Sequence, residues 1–200
     1  MANAAQISPV AGVSRHQSTS YLPGDSGMWF FIVGDLLIFG VYFVCYMLYR
    51  AQDQELFLYS QQFLSQGIGV ANTVILLTSS LFVALGTEAA RNGKIQDAVR
   101  LIALAFACGA LFPLFKMAEW LPKISAGHTP GENLFFMYYY VMTGLHLLHV
   151  LLGLTIMGFM LRNLKASAEP DIKFIEVGAI YWHMVDVLWL VLFAVFYLMR

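Results

Sequence analysis

Five long apolar stretches constrain the fold of this chain more than any other feature of its sequence. About 20 apolar residues in a helix, at 1.5 Å per residue, cross the roughly 30 Å hydrocarbon core of a bilayer. The stretches lie at approximately residues 27–49, 67–87, 99–121, 134–161 and 177–199. The connections between them are short and carry charges and turn formers. The sequence therefore predicts an all-α membrane protein with a five-transmembrane-helix bundle over residues 27–200.

Composition narrows the class of protein further. Of the 200 residues, 60% are hydrophobic and 12% charged, which is more apolar than one soluble core requires. A formal net charge of -1 offers no basic surface for nucleic acid. Cys45 and Cys108 lie in apolar stretches without metal-type spacing, so we expect both to be small packing residues. Residues 1–26 are mostly small and polar, which predicts a flexible tail without the pattern of a cleavable signal peptide.

The distribution of basic residues predicts the orientation, because cytoplasmic loops carry the excess of lysine and arginine. The inner set would be Arg15, Arg91, Lys94, Arg100, Arg162, Lys165 and Lys173, and the outer set Arg50, Lys123 and Arg200. This distribution favours a cytoplasmic amino terminus and a periplasmic carboxyl terminus. Aromatic residues near the span ends are expected to act as interface anchors. They are Trp29, Tyr49, Trp120, Tyr138, Tyr139, Tyr181, Trp182 and Tyr197.

Ionisable residues inside the spans are the candidate functional residues, because a charge at the bilayer centre costs roughly 2.5–3.5 kcal/mol on insertion scales. His146 and His149 are three residues apart in the fourth span, and His183 and Asp186 are three apart in the fifth, so each pair shares one helical face. Together with Asp35 of the first span, they could meet in one layer. At the outer end of the third span, Lys116 and Glu119 have the same spacing and are expected to form an ion pair.

Three interpretations compete for these residues. Axial haem ligation would use histidines facing each other across the bundle, but here they cluster three apart. A metal site could combine His146, His149, His183 and Asp186, although the sequence shows no supporting shell around them. A structural polar network, in which Asp35 or Asp186 accepts a hydrogen bond from an imidazole, accounts best for the pattern. A proton relay uses the same residue types and remains open.

The last two spans resemble known helices of subunit III of the haem–copper oxidases. The segment YWHMVDVLWLVLF is similar to the family's W-H-x-x-D-x-x-W helix, and TGLHLLHVLLG to its T-G-x-H-x-x-H-V-x-x-G helix. The matching residues are Trp182, His183, Asp186 and Trp189, and Thr143, Gly144, His146, His149 and Gly153.

Two further motifs follow the family order. GALFPLFKMAEW resembles the family segment that ends at Glu119 and Trp120, with Lys116 where a glutamine is commoner. GMWFFIVGDLLIFG resembles the helix that holds a membrane-embedded glutamate, which is Asp35 here. Mitochondrial-type members have seven helices, whereas five is the pattern of bacterial quinol-oxidase subunits III and of the NorE proteins, described as nitric oxide reductase activation proteins. The amino-acid sequences of these motifs are most similar to those of the NorE proteins.

The resemblance implies a non-catalytic polytopic subunit of the bacterial inner membrane that binds no haem or metal itself. It also implies packing against a catalytic subunit and binding of structural phospholipid. The expected function is an accessory role in a haem–copper complex associated with nitric oxide reduction. Alternatives are subunit III of an aerobic cytochrome c or quinol oxidase, a b-type cytochrome using His146, His149 or His183, and a small transporter, for which no inverted repeat is visible.

Overall fold

The computed structural model describes residues 26–166 and 169–199. In chain order the helices are α1 (Ser26–Gln52), α2 (Gln54–Gln61), α3 (Gln66–Arg91), α4 (Ile95–Ser125), α5 (Leu134–Ala166) and α6 (Ile172–Phe193), followed by a π-helical segment (Ala194–Leu198). Helices α1, α3, α4, α5 and α6 with its π-helical extension are long and apolar enough to cross a membrane. The predicted five-helix bundle is therefore confirmed.

The predicted spans fall within these five helices, with Met199 alone extending beyond the last one. The structure adds α2, a short helix between the first two spans that the sequence analysis did not predict. The predicted flexible tail of residues 1–26 lies outside the described residues, except that Ser26 begins α1. Arg15 and Arg200, which enter the orientation prediction, also lie outside them.

Several helix ends follow from local sequence. The side chains of Asp53 and Asp171 accept hydrogen bonds from the backbone N–H three residues further on, which caps α2 and α6 at their amino ends. Gly93 and Gly127 follow the last residues of α3 and α4 with φ of 72° and 94°, a conformation that ends helices and that glycine adopts without strain. These residues therefore fix the beginnings of α2 and α6 and the ends of α3 and α4.

Helix α6 lies at the centre of the bundle, and α1 lies at its edge. In the most apolar window of each helix, 67% of the α6 residues are buried, against 17% of those in α1. Helix α6 packs against α3 and α5, and α3 packs extensively against α4. Asp186 of α6 is therefore buried between helices, whereas α1 presents most of its apolar surface outward.

Trp182 of α6 is the central packing residue between α4 and α5. Its ring is 1% exposed and touches the backbone of Gly109 on α4 and Gly153 on α5. A Cβ at either glycine would lie 2.8 Å or 2.7 Å from the ring, closer than side chains approach. Glycine at these two positions therefore allows the ring to enter between the helices.

The prediction that the aromatic residues at the span ends are interface anchors is wrong for several of them. Tyr139, Trp182 and Tyr197 are no more than 1% exposed and pack in the core. Trp29 and Tyr49 are 40% and 41% exposed, as an anchor requires. Depth along a helix can be read from sequence, but the face on which a ring lies depends on how neighbouring helices pack.

Candidate functional site

Asp35 and His149 connect α1 to α5 near the middle of the bundle. The Nε2 atom of His149 lies 3.1 Å from Oδ2 of Asp35, and its Nδ1 lies 2.7 Å from the carbonyl oxygen of Leu145. The Leu145 carbonyl can only accept, so Nδ1 of His149 carries a hydrogen and donates it. The hydroxyl of Tyr181 donates to the His149 carbonyl at 3.2 Å and adds α6 to the contact.

His183 and Asp186 of α6 face Ser80 of α3. The Ser80 hydroxyl lies 2.6 Å from Nδ1 of His183. Asp186 is 5% exposed, and its Oδ1 atom has no hydrogen-bond partner among the described residues. Ser80 thus connects His183 to the neighbouring helix α3.

His146 is fully buried and connects α5 to α6 through the backbone. Its Nε2 lies 3.1 Å from the carbonyl oxygen of Val185, so this nitrogen carries the hydrogen and donates it. The ring contacts Phe112 and Trp189, with centroid distances of 5.2 Å in both cases. Trp189 donates from Nε1 to the Thr73 hydroxyl at 3.0 Å, which extends the contact to α3.

The predicted single layer of five ionisable residues is divided into three separate contacts. Asp35 with His149 is the direct carboxylate–imidazole contact of this set, while His146 and His183 bind a carbonyl and a hydroxyl. In residues 26–166 and 169–199, no three His, Cys, Asp or Glu side chains are placed to hold one metal ion. This arrangement joins helices α1, α3, α5 and α6 to one another through polar side chains.

We expect Asp35→Ala to be more destabilising than Asp35→Asn. Alanine leaves Nε2 of the partly buried His149 ring without its hydrogen-bond partner, and an unsatisfied polar group held away from water costs about 1–3 kcal/mol. The asparagine side chain retains an acceptor oxygen in the same place. Thermal unfolding of the two variants in mild detergent measures the difference, and equal melting temperatures would contradict the contact.

A second polar cluster lies where α4 and α6 approach the end of the bundle. The Lys116 ammonium is fully buried and lies 2.9 Å from Oε2 of Glu119, as the spacing predicted. It also donates to the hydroxyls of Tyr139 and Tyr197, both at 3.0 Å. Its three hydrogens therefore have three acceptors, which a buried ammonium requires.

Lys123 and Tyr197 complete this cluster. The sequence analysis did not identify either residue as a partner of Glu119. The Lys123 ammonium lies 3.0 Å from Oε1 of Glu119, and the Tyr197 hydroxyl donates to the same carboxylate at 2.7 Å. The i,i+4 spacing of Glu119 and Lys123 was a usable signal. Tyr197 was not predictable, because it lies in the π-helical segment, whose wider turn changes the face on which each side chain lies.

The comparisons with known proteins agree over nearly the whole chain. The sequence model of cytochrome c oxidase subunit III matches residues 12–200. Cytochrome c oxidase subunit 3 of Thermostichus vulcanus is 30% identical over 182 residues, which covers 86% of each chain. Cytochrome bo(3) ubiquinol oxidase subunit 3 of Buchnera aphidicola subsp. Acyrthosiphon pisum is 24% identical over 92% of this chain and 91% of its own length.

A third relative extends the comparison to another oxidase. Quinol oxidase subunit 3 of Bacillus spizizenii is 25% identical over 175 residues, which covers 86% of this chain and 85% of the relative. The family match, the length of the alignments and the five apolar helices point to the same class of multi-pass membrane protein. This chain belongs to the cytochrome c oxidase subunit III family.

Proposed function

We propose that this chain is a non-catalytic accessory subunit of a bacterial haem–copper oxidoreductase, of the NorE type associated with nitric oxide reductase. The observation that carries the proposal is that ionisable side chains inside the membrane-spanning helices bind side chains of neighbouring helices. Asp35, His149 and His183 each bind a side chain on another helix, and so act as contacts that hold the bundle together. Haem and metal would then belong to the catalytic partner, which this chain supports.

The outward surface of α1 supports a partner within the membrane. Phe30, Leu37 and Val41 are 82%, 65% and 63% exposed, although all three are large and apolar. Such side chains require either lipid tails or the apolar surface of another membrane protein around them. In the proposed complex, the catalytic subunit covers part of this surface and structural phospholipid covers the remainder.

The proposed location is the bacterial inner membrane, with the amino terminus in the cytoplasm and the carboxyl terminus in the periplasm. Support comes from the excess of basic residues on the proposed cytoplasmic side, including Arg91, Arg100 and Arg162. Fusion of a reporter that is active in one compartment to each connection would test this orientation. Activity of a periplasmic reporter after Lys94 would contradict it.

A second candidate function is subunit III of an aerobic cytochrome c or quinol oxidase. The relatives described above carry such names, and they align along most of this chain. The motifs that carry the similarity, including Trp182, His183 and Asp186, do not separate the two kinds of complex. The identity of the catalytic partner decides between them.

Copurification tests the proposal and its alternative together. We expect a tagged chain, extracted in mild detergent from membranes that contain both respiratory complexes, to retain a haem-containing catalytic subunit. Mass spectrometry identifies that subunit, and a visible spectrum of the same sample reports haem. A nitric oxide reductase subunit supports the NorE assignment, and an oxidase subunit supports the alternative. An untagged strain is the control.

Haem that remains with the isolated chain after the partner is removed would overturn both assignments. In that case His146, His149 and His183 would be the ligand candidates of a b-type cytochrome. Recovery of the chain without any haem–copper subunit would equally contradict an accessory role. Spectra before and after removal of the partner distinguish these results.

A further inference from the structure

The ion cluster at the end of α4 carries one positive charge that is not matched within it. Lys116 and Lys123 both bind Glu119, at 2.9 Å and 3.0 Å. Among the described residues, no second carboxylate lies within 4 Å of either ammonium. Lys116 donates to Glu119 and to two tyrosine hydroxyls, so all three of its hydrogens have acceptors. The excess charge is therefore assigned to Lys123.

The Lys123 ammonium has one hydrogen to spare. It donates to the Glu119 carboxylate at 3.0 Å and to the Glu119 carbonyl oxygen at 3.5 Å. Within the part of the chain that the structure describes, its third hydrogen has no acceptor. The side chain is 9% exposed, so in the isolated chain water reaches this end of the cluster.

Lys123 borders a groove of about 430 Å³ between the beginning of α3 and the end of α4. Phe63 and Ser65 on one side belong to the connection between α2 and α3. Ala126 and His128 on the other side belong to the connection between α4 and α5. The groove therefore lies at the end of the bundle, beside the connections, and not along the length of the spans.

The other ionisable groups that line the groove do not supply the missing negative charge. Both carboxylate oxygens of Glu119 already accept hydrogen bonds from lysine and tyrosine. Nδ1 of His128 lies 2.9 Å from Oε2 of Glu132, a residue that does not line the groove. Lys123 therefore presents a positive charge and a donor to the groove, and no carboxylate of the described residues answers it.

Aromatic side chains stand at the edge of this groove. Phe63 is 39% exposed, and the ring of His128 lies against it with a centroid distance of 4.2 Å. On its other side Phe63 contacts Tyr59, which is 63% exposed, at a centroid distance of 5.3 Å. Exposed aromatic residues around a site that can be closed off from water are typical of protein–protein interfaces.

A neighbouring chain that covers this groove removes the water from Lys123. An ammonium that is buried without a counter-charge is strongly destabilising, so the covering chain has to bring an anion. A carboxylate side chain supplies the negative charge and an acceptor for the third hydrogen together. The groove thus selects its partner by charge.

We propose that the groove receives the carboxylate of an aspartate or glutamate from another membrane protein, with Lys123 as its ion-pair partner. Phe63 and Tyr59 then pack against the segment that carries this carboxylate. The inference rests on the proposed function for the presence of a partner chain, but not for the identity of that chain. It names the chemistry by which the partner is recognised at this end of the bundle.

Cross-linking without a spacer in native membranes tests the contact. A water-soluble carbodiimide activates a carboxylate, the Lys123 amine attacks the activated carbonyl carbon, and an amide forms as the carbodiimide leaves as a urea. The linked peptides therefore weigh one water less than their sum. We expect mass spectrometry of the digested membranes to find Lys123 joined to an aspartate or glutamate of a different chain, beside an internal amide with Glu119.

Two substitutions separate the charge of Lys123 from its reactivity. Lys123→Arg keeps the charge but offers no amine, so the cross-link should disappear while the partner is retained in mild detergent. Lys123→Met should lose the cross-link, and retention of the partner should fall about tenfold or more, because the partner's carboxylate is left unpaired. Lys116 stays paired with Glu119 in both variants, and the melting temperature of the isolated chain checks the fold. Lys165→Met, at an exposed lysine of α5, is the control and should change neither result.

Three results would overturn the proposal. An amide with Glu119 alone, in membranes where other residues of this chain are cross-linked to neighbours, would show that no partner carboxylate reaches the groove. Undiminished retention of the partner by Lys123→Met would show that the ammonium does not bind it. An anionic lipid that native mass spectrometry finds on the chain, and that Lys123→Met loses, would assign the groove to a lipid.

The same experiment distinguishes this contact from the proposed function. A cross-link from Lys123 to a chain outside the haem–copper complexes would support the contact and contradict the accessory role. A haem–copper subunit that copurifies with the chain but is not linked to Lys123, and is retained equally by Lys123→Met, would support the accessory role and overturn the contact.

Discussion

Glu119→Gln is expected to lower the free energy of unfolding by about 3–5 kcal/mol, because it leaves two buried ammonium groups without a carboxylate. The glutamine oxygen can accept a hydrogen bond from one lysine, but it does not neutralise either charge. Lys116 has no access to water, so it cannot compensate by hydration. Unfolding of the chain from mild detergent by a denaturing detergent, followed by far-ultraviolet circular dichroism, measures the loss.

The double variant Lys116→Met with Glu119→Gln provides the decisive comparison. Removing both members of the fully buried pair should restore part of the stability, since Lys123 is close enough to the surface to reach water. Glu132→Gln is the matched control, because this carboxylate is partly exposed and should change stability by no more than about 0.5 kcal/mol. A double variant no more stable than Glu119→Gln alone would contradict the pairing of Lys116 with Glu119.

The sequence predicted the spans well because each one is a continuous apolar stretch of sufficient length. It did not predict α2, since QELFLYSQ is short and its apolar residues do not distinguish a helix from a loop. Phe57 of this helix is 1% exposed and packs against Tyr46 and Phe135. Helix α2 is thus stabilised by tertiary packing, which the local sequence does not reveal.

Among the candidate residues, contacts within one helix could be predicted from the sequence, and contacts between helices could not. The spacing of Lys116 and Glu119 was sufficient to predict their ion pair, because side chains three residues apart on one helix are neighbours. Spacing within a helix could not show that His149, and not His183, contacts Asp35. That contact depends on how α1, α5 and α6 are rotated relative to one another. Ser80, which joins His183 to α3, had no signal beyond being a small polar residue in a span.

Trp182→Ala is the second change with a large expected effect. The ring is almost fully buried between α4 and α5, and its loss would leave a cavity next to Gly109 and Gly153. Replacement of large buried aromatic residues by alanine typically costs about 3–5 kcal/mol. Phe30→Ala is the control, because Phe30 is a large aromatic residue that is 82% exposed on α1. The same denaturing-detergent titration measures both variants.

The glycines next to Trp182 make a stricter test of the same contact. In Gly153→Ala the new methyl group would lie 2.7 Å from a rigid ring, so we expect a cost of about 1–3 kcal/mol despite the better helix propensity of alanine. Gly158→Ala on the same helix is the control. Among the described residues, and apart from its chain neighbours and its own helix backbone, no heavy atom lies within 4 Å of the Cβ position of Gly158, so the substitution should be neutral or slightly stabilising.

Combining the two substitutions separates packing from helix propensity. Without the Trp182 ring, the methyl group of Gly153→Ala enters the cavity that the ring leaves, and its cost should disappear. The destabilisation of the double variant should then be smaller than the sum of the two single destabilisations, by about the cost of Gly153→Ala alone. The same cost in both backgrounds would show that Gly153 is required for a reason other than the approach of Trp182.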